Sequence, residues 1–313
     1  MTKEAYIPPS PAVLTTTARR IVALPLAVLA LSLASCGKED TPQADFQNPT
    51  AHFLPAADDQ SPEATLRRAF HAETGTYLLF NDTLQNRLLG RDVNGDLQYF
   101  NETIDFGYNI GQSQASATDY TFAYLLTSEE QEQMVQYVKD YIFAHVSGKM
   151  RPYSVFLANT ITGYNRNGVG NVRPYAVANQ RCLGIACNYL LLRERTEAQK
   201  QAFATRVLNV MVTQQANNNT QAFTQFYAYS GSFYSQSLYN LGLEKSVQTF
   251  RERGFISSPA DDFPMQSTDL SAFVTEVLQN TEEQLQAKYG TYPLVMQKLA
   301  EVRRVLQSLG YVF

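Results

Sequence analysis

The alternation of apolar and polar positions divides the chain into unlike stretches. Arg19 and Arg20 lead into an almost wholly apolar run, Ile21 to Leu33, which is 13 residues long. That is too short for a stable membrane-spanning helix, which takes about 20 apolar residues. Residues 37 to about 60 are polar and rich in Pro, Gln, Asp and Ala, the pattern of a flexible tether. Beyond them the pattern turns periodic. Ser61-Pro62-Glu63 combines a capping serine, a proline at the first helical position and an acid, and predicts a helix to about Ala72. Gly75 ends it, and Thr76 to Phe80 reads as a strand. Thr127 with Glu130, and Thr196 with Gln199, are capping boxes. The first predicts a helix to about Val146, ended by Gly148, with Met134, Val138, Tyr141, Ile142 and His145 on one face. The second predicts a helix from Glu197 to about Gln214 that buries Phe203, Val207, Val210 and Met211. Tyr153 to Ala158 and Arg181 to Leu192 read as buried strands, with a polar loop from Asn159 to Gln180 between them. Thr268 to Gln279 and Pro293 to Leu309 read as closing helices. Helices and strands mix without regular βαβ alternation and without repeats, which points to one α+β domain.

The small residues that close the apolar run, Leu33-Ala34-Ser35, stand directly before Cys36. Charge, apolar stretch and small-residue cleavage site make up a secretory signal, against the alternative of a core helix with a chance cysteine. The cysteine makes the segment resemble the bacterial lipobox. That resemblance implies cleavage before Cys36, acylation of its thiol, and three segments: a signal peptide over 1–35, a tether over 36–60 and a domain over 61–313. Lys38-Glu39-Asp40 resembles the short export signal of surface lipoproteins in Bacteroidetes-type bacteria; an ordinary charged tether is the other reading. Together these place the protein at the outer membrane, lipid-anchored and facing outwards.

Charge narrows the partners. The chain has 25 Lys+Arg against 29 Asp+Glu, a net of −4. The leader holds Lys3, Arg19 and Arg20 against Glu4, so its removal takes the net to −6. An acidic balance without a basic run argues against nucleic acid, which needs a cationic footprint. It argues equally against an anionic lipid surface, leaving the lipid on Cys36 as the membrane contact. Cys182 and Cys187 are five apart on a predicted strand and so face opposite sides; a bend at Gly184 would be needed to pair them, and buried free thiols are the competing reading.

Asp92-Val93-Asn94-Gly95-Asp96 lies between strand-like runs. Its Asn-Gly pair signals a hairpin, and it also echoes a calcium loop, but Leu97 and Thr103 occupy positions where glycine and glutamate are required. Between Asn217 and Tyr239 aromatic residues crowd: Phe223, Phe226, Tyr227, Tyr229, Phe233, Tyr234 and Tyr239. They read either as core packing or as surfaces for stacking on sugars or peptides.

The order of elements, the phrase Phe226-Tyr227-Ala228-Tyr229-Ser230-Gly231-Ser232-Phe233-Tyr234, the phrase Arg253-Gly254-Phe255-Ile256-Ser257-Ser258-Pro259 and the helix that follows at Thr268 carry a family resemblance. Over about 65–313 the chain resembles the zinc-binding metallopeptidase lipoproteins found beside TonB-dependent, SusC/SusD-type importers. The resemblance implies a zincin-like fold and a His-Glu-x-x-His helix, with two imidazoles one turn apart on zinc and a glutamate polarising the water. In this chain Thr205, Arg206 and Asn209 stand at those positions, and Ala272 stands where a later acidic ligand falls. None can ligate zinc or act as base. Independently, His52, His71 and His145 are the only histidines, and no two lie within helical reach. The expectation is therefore a catalytically inactive, cofactor-free member. It would bind or scaffold in a nutrient-import assembly, with a peptide or glycan over a cleft floored by Thr205, Arg206 and Asn209; a polar helix face without ligand is the plainer reading of those three. The alternative is an active peptidase or glycosidase with a non-standard site, for which Glu102 and Asp105 are the weak carboxylate candidates.

Overall fold

The computed structural model describes residues 52–107, 118–165 and 171–313. Cys36 and Lys38-Glu39-Asp40 lie outside the described residues. The compact unit Thr50–Phe313 is a mixed α+β domain with a six-stranded sheet, a separate two-stranded sheet and several helices.

The sheet is organised by one long strand, β5 (Ser154–Asn165). Strands β1 (Tyr77–Leu79) and β8 (Cys182–Ala186) run parallel to its first half, on opposite edges. Along its second half lie β4 (Thr118–Tyr124) and β6 (Asn171–Val172), both antiparallel. Strand β7 (Ala176–Ala178) pairs antiparallel with β8 at the edge. Side chains alternate across this sheet and split the apolar residues into two cores. Val155, Leu157, Leu183 and Ile185 join the larger core with the helices. Phe156, Ala158, Cys182 and Ala186 face the other way, onto Phe53, Leu79 and Ile104. A third cluster, Leu238, Phe250, Phe255 and Phe263, lies apart from both.

Helix α1 (Pro62–Thr74) starts and stops as the sequence predicts. The Ser61 hydroxyl accepts from the Ala64 N–H, and Gly75 closes the helix at φ 73°. Packing begins earlier than Ser61, however. Phe53 is buried, and Arg67 and Arg68 donate to the carbonyls of Phe53, Ala56 and Asp59. The hairpin reading of 92–96 holds: β2 (Thr83–Arg91) pairs with β3 (Leu97–Thr103), and the Asp92 carboxylate accepts the Asn94 and Asp96 N–H groups within the turn.

Three segments depart from the pattern. After α2 (Ser128–Tyr137) the helix widens to a π turn, Val138–Ile142, and then tightens to a 3₁₀ turn, Phe143–His145. The change of pitch lets the consecutive residues Ile142 and Phe143 both bury. The expected loop after Ala158 is instead strand, because β4 supplies a pairing partner (Phe122 opposite Ile161) that overrides weak local propensity. The expected strand 181–192 stops at Ala186. There the Cys187 N–H turns to the Ala158 carbonyl and α3 (Asn188–Leu191) begins.

The second capping box opens α4 (Glu197–Asn218), which buries Phe203, Val207 and Met211 but leaves Val210 half-buried. Short helices α5 (Thr224–Ala228) and α6 (Val247–Glu252) precede α7 (Gln266–Gln279). An unexpected helix, α8 (Glu282–Tyr289), follows, and α9 (Pro293–Leu309) closes the fold. The signal for α8 was present: Thr281 and Gln284 form a third capping box.

Candidate functional site

A cavity of about 690 Å³ lies against the sheet face that carries Phe156 and Cys182. Its size suits a small polar ligand. One wall is the turn between β7 and β8. Asn179 builds that turn: its Oδ1 accepts from the N–H groups of Arg181 and Cys182 at 2.9 and 2.7 Å, and its Nδ2 donates to the Asp105 carbonyl at 2.9 Å. The side chain thus ties the turn to the opposite wall, formed by the end of β3 and the segment after it. On that wall Glu102 accepts from Gln85 at 3.0 Å, and the Asp105 carboxylate accepts from the Gly107 N–H at 2.7 Å. The last turn of α4 contributes Gln214 and Asn218, joined by a 3.3 Å hydrogen bond.

The cavity also has an aromatic side. The Arg181 guanidinium stands 5.1 Å from the Phe53 ring and 5.5 Å from that of Tyr153, held by cation–π attraction. Phe106 lies over Gly184. A Cβ there would meet the Phe106 ring and the Val177 side chain at 3.0 Å each, so glycine is what lets the ring approach the strand. Burial raises the Tyr120 phenol above its ordinary pKa, with partial relief from a bond to Thr118. Tyr120 is therefore a neutral donor and acceptor.

The residues singled out by the family resemblance lie elsewhere. Thr205 donates back to the Gln201 carbonyl of its own helix. Arg206 points to the Tyr175 ring, 4.6 Å away. Asn209 accepts from the Thr275 hydroxyl at 3.0 Å, in the contact between α4 and α7, and Ala272 is half-buried one turn before Thr275. None of the four lines the 690 Å³ cavity, and α7 packs against α4 at Asn209. Zinc does not fit this donor set, which offers one hydroxyl and one amide, both already bonded, beside a cation. Among the described residues no group of three His, Cys, Asp or Glu could hold a metal ion. His71 stacks on Tyr77 and His145 on Tyr311, in different parts of the fold.

The aromatic stretch divides. Phe223 and Phe226 are core, while Tyr239 is 90% exposed. Cys182 and Cys187 are buried free thiols, on the two different sides of the sheet. Conversely, sequence reasoning missed Asn179, Arg181 and Gln214. The only signal for the first two was an Asn-Gln-Arg run opening a strand, and nothing local ties it to residue 105. Glu102 and Asp105, which sequence reading treated as ordinary acids, are brought to one cavity. Set against protein-family models, curated proteins and solved structures, the chain matches none.

Proposed function

We propose that the chain is a lipid-anchored outer-membrane protein, facing outwards. In this reading its folded domain holds an oligosaccharide in the 690 Å³ cavity and serves a nutrient-import assembly without hydrolysing what it binds. The observation that carries the ligand class is the cavity lining. Neutral amides (Asn179, Gln180, Gln214, Asn218) and hydroxyls dominate it, with two carboxylates, one guanidinium and the rings of Phe53, Phe106 and Tyr120 alongside. Amides and carboxylates suit the adjacent hydroxyls of a sugar, and aromatic faces suit its C–H surface. Envelope location rests on the lipobox-like segment ending at Cys36, and partnership with a TonB-dependent importer rests on the family resemblance. The domain then descends from a zincin-like scaffold in which Thr205, Arg206, Asn209 and Ala272 replace the metal-holding positions.

One observation favours a second reading: Glu102 and Asp105 flank the same cavity, as the two carboxylates of a glycosidase would. A single experiment addresses both. Titrating the purified full chain calorimetrically with neutral oligosaccharides, and separately with tripeptides, should give heat with a saccharide. Asn179→Ala should weaken that binding at least tenfold, and chromatography should recover the saccharide intact. Peptide binding instead, or an Asn179→Ala chain that binds as tightly as the parent, would overturn the binding reading. Saccharide cleavage lost in Glu102→Gln or Asp105→Asn would establish the hydrolase in its place.

A further inference from the structure

The most unusual chemistry in the molecule is not in the cavity. Lys298 on α9 and Asp269 on α7 are both completely buried, with Nζ 2.5 Å from Oδ2. The lysine ammonium is ringed by Phe226, Phe273 and Phe255, whose centroids lie 4.3, 4.7 and 4.8 Å away. Tyr234 donates to the same carboxylate oxygen at 2.8 Å, and Lys298 reaches the Tyr234 hydroxyl at 3.3 Å and Ser230 Oγ at 3.2 Å. Ser230 in turn donates to the Arg253 carbonyl. Gly254, at φ 84°, leaves the room this needs, since a Cβ would stand 2.7 Å from Ser230 Oγ. Among the described residues Oδ1 of Asp269 has no hydrogen-bond partner.

We propose that Lys298 and Asp269 condense to an intramolecular isopeptide bond, which joins α7 to α9. Three features support it. First, amine and carboxyl are held in contact by packed helices, and such positioning is worth effective molarities on the order of 10⁵–10⁸ M. Second, burial shifts both groups towards their reactive neutral forms. Burial lowers Lys298 to about 8, against the partial restoring pull of Asp269, and burial raises Asp269, against the opposing pull of Lys298 and Tyr234. Third, an ion pair in an apolar setting carries a desolvation penalty that its attraction repays poorly, and a neutral amide removes both charges.

The step balances without an oxidant or co-reactant. A proton passes from Nζ to the carboxylate, giving amine and acid. The Nζ lone pair attacks Cγ, with the Tyr234 hydroxyl polarising the carboxyl. The C–N bond forms, and one C–O bond breaks. That oxygen leaves as water, carrying the transferred proton and a second proton from nitrogen.

Tryptic mapping of the full chain, after prolonged incubation of the folded protein at neutral pH and then denaturation, tests this. Acylated Lys298 resists cleavage, so peptides 254–288 and 289–303 should appear as one branched species, lighter than their sum by one water. Fragment ions should place the link at Asp269 rather than Asp261 or Asp262. Lys298→Met should abolish the branched species. Recovery of peptide 289–298 in linear form from the wild-type chain, or persistence of the branch in Lys298→Met, would overturn the proposal.

Discussion

At the scale of single residues, burial decides chemistry more firmly than identity does. Cys182 and Cys187 sit in a chain read as envelope-exposed, where disulfides form readily, yet they remain apart on two sides of a sheet. The period-two alternation of a strand predicts opposite sides for the pair, but the strand ends at Ala186, and it is the turn at Cys187, whose N–H bonds to the Ala158 carbonyl, that carries the second thiol to the other core. What spacing could not give is the environment. Burial pushes the Cys182 thiol up to about 12 and raises Cys187 further still, so neither forms appreciable thiolate at neutral pH. With Cys36 replaced by alanine, the folded chain should therefore take up no thiol reagent at pH 7.5 and should take up two equivalents once unfolded in guanidinium. Labelling of either cysteine in the folded chain at the rate of a free thiol would contradict this burial. The same contrast explains why the sequence passed over Lys298 and Asp269. They lie 29 positions apart in the chain, and only the packing of α7 against α9 makes them neighbours.

At the scale of elements, local signals were strong wherever the chain caps itself. Ser61, Thr127 and Thr196 mark helix starts that form as read, with each side-chain oxygen accepting the expected backbone N–H. Gly75 and Gly310 mark ends, both in the left-handed region. Signals failed where a partner far along the chain sets the conformation. The segment Asn159–Asn165 is strand because β4 lies beside it, and the helix after Thr127 changes pitch to suit the core. The candidate cavity failed for the same reason. Its walls come from β3 and the segment after it, the β7–β8 turn and the end of α4, and Asn179 binds two of them together. The caps make a quantitative expectation. Thr196 accepts from the Gln199 N–H while Gln199 accepts from the Thr196 N–H, reciprocally satisfying two groups at the start of the longest helix. Thr196→Ala should lower unfolding stability by about 1 kcal/mol. A fall in urea midpoint at unchanged slope is the measurement, and an unaltered midpoint would mean that neighbouring packing alone holds the helix start.

At the scale of the whole molecule, the lipobox-like segment and the folded domain make separable claims. The compact unit begins at Thr50, and its first buried anchor, Phe53, is held by Arg67 from α1 and by contacts with Tyr77 and Tyr153. Folding is thus organised by residues from Phe53 onwards, within and beyond the segment 36–60 read as a tether, whereas attachment is assigned to the thiol that opens that segment. Among the described residues no helix is long and apolar enough to cross a membrane. The membrane contact proposed above is the lipid on Cys36. Cys36→Ala should then abolish incorporation of labelled fatty acid and move the protein from the detergent phase to the aqueous phase on partitioning. The far-ultraviolet circular dichroism and the urea midpoint of the domain should not change, since its caps and cores lie beyond the substitution. A Cys36→Ala chain that still incorporates the label would show that another residue is acylated. One that loses the label but stays membrane-bound would show a second attachment, by a face of the domain or by a partner protein, and salt extraction would separate those two by releasing only the protein-mediated form.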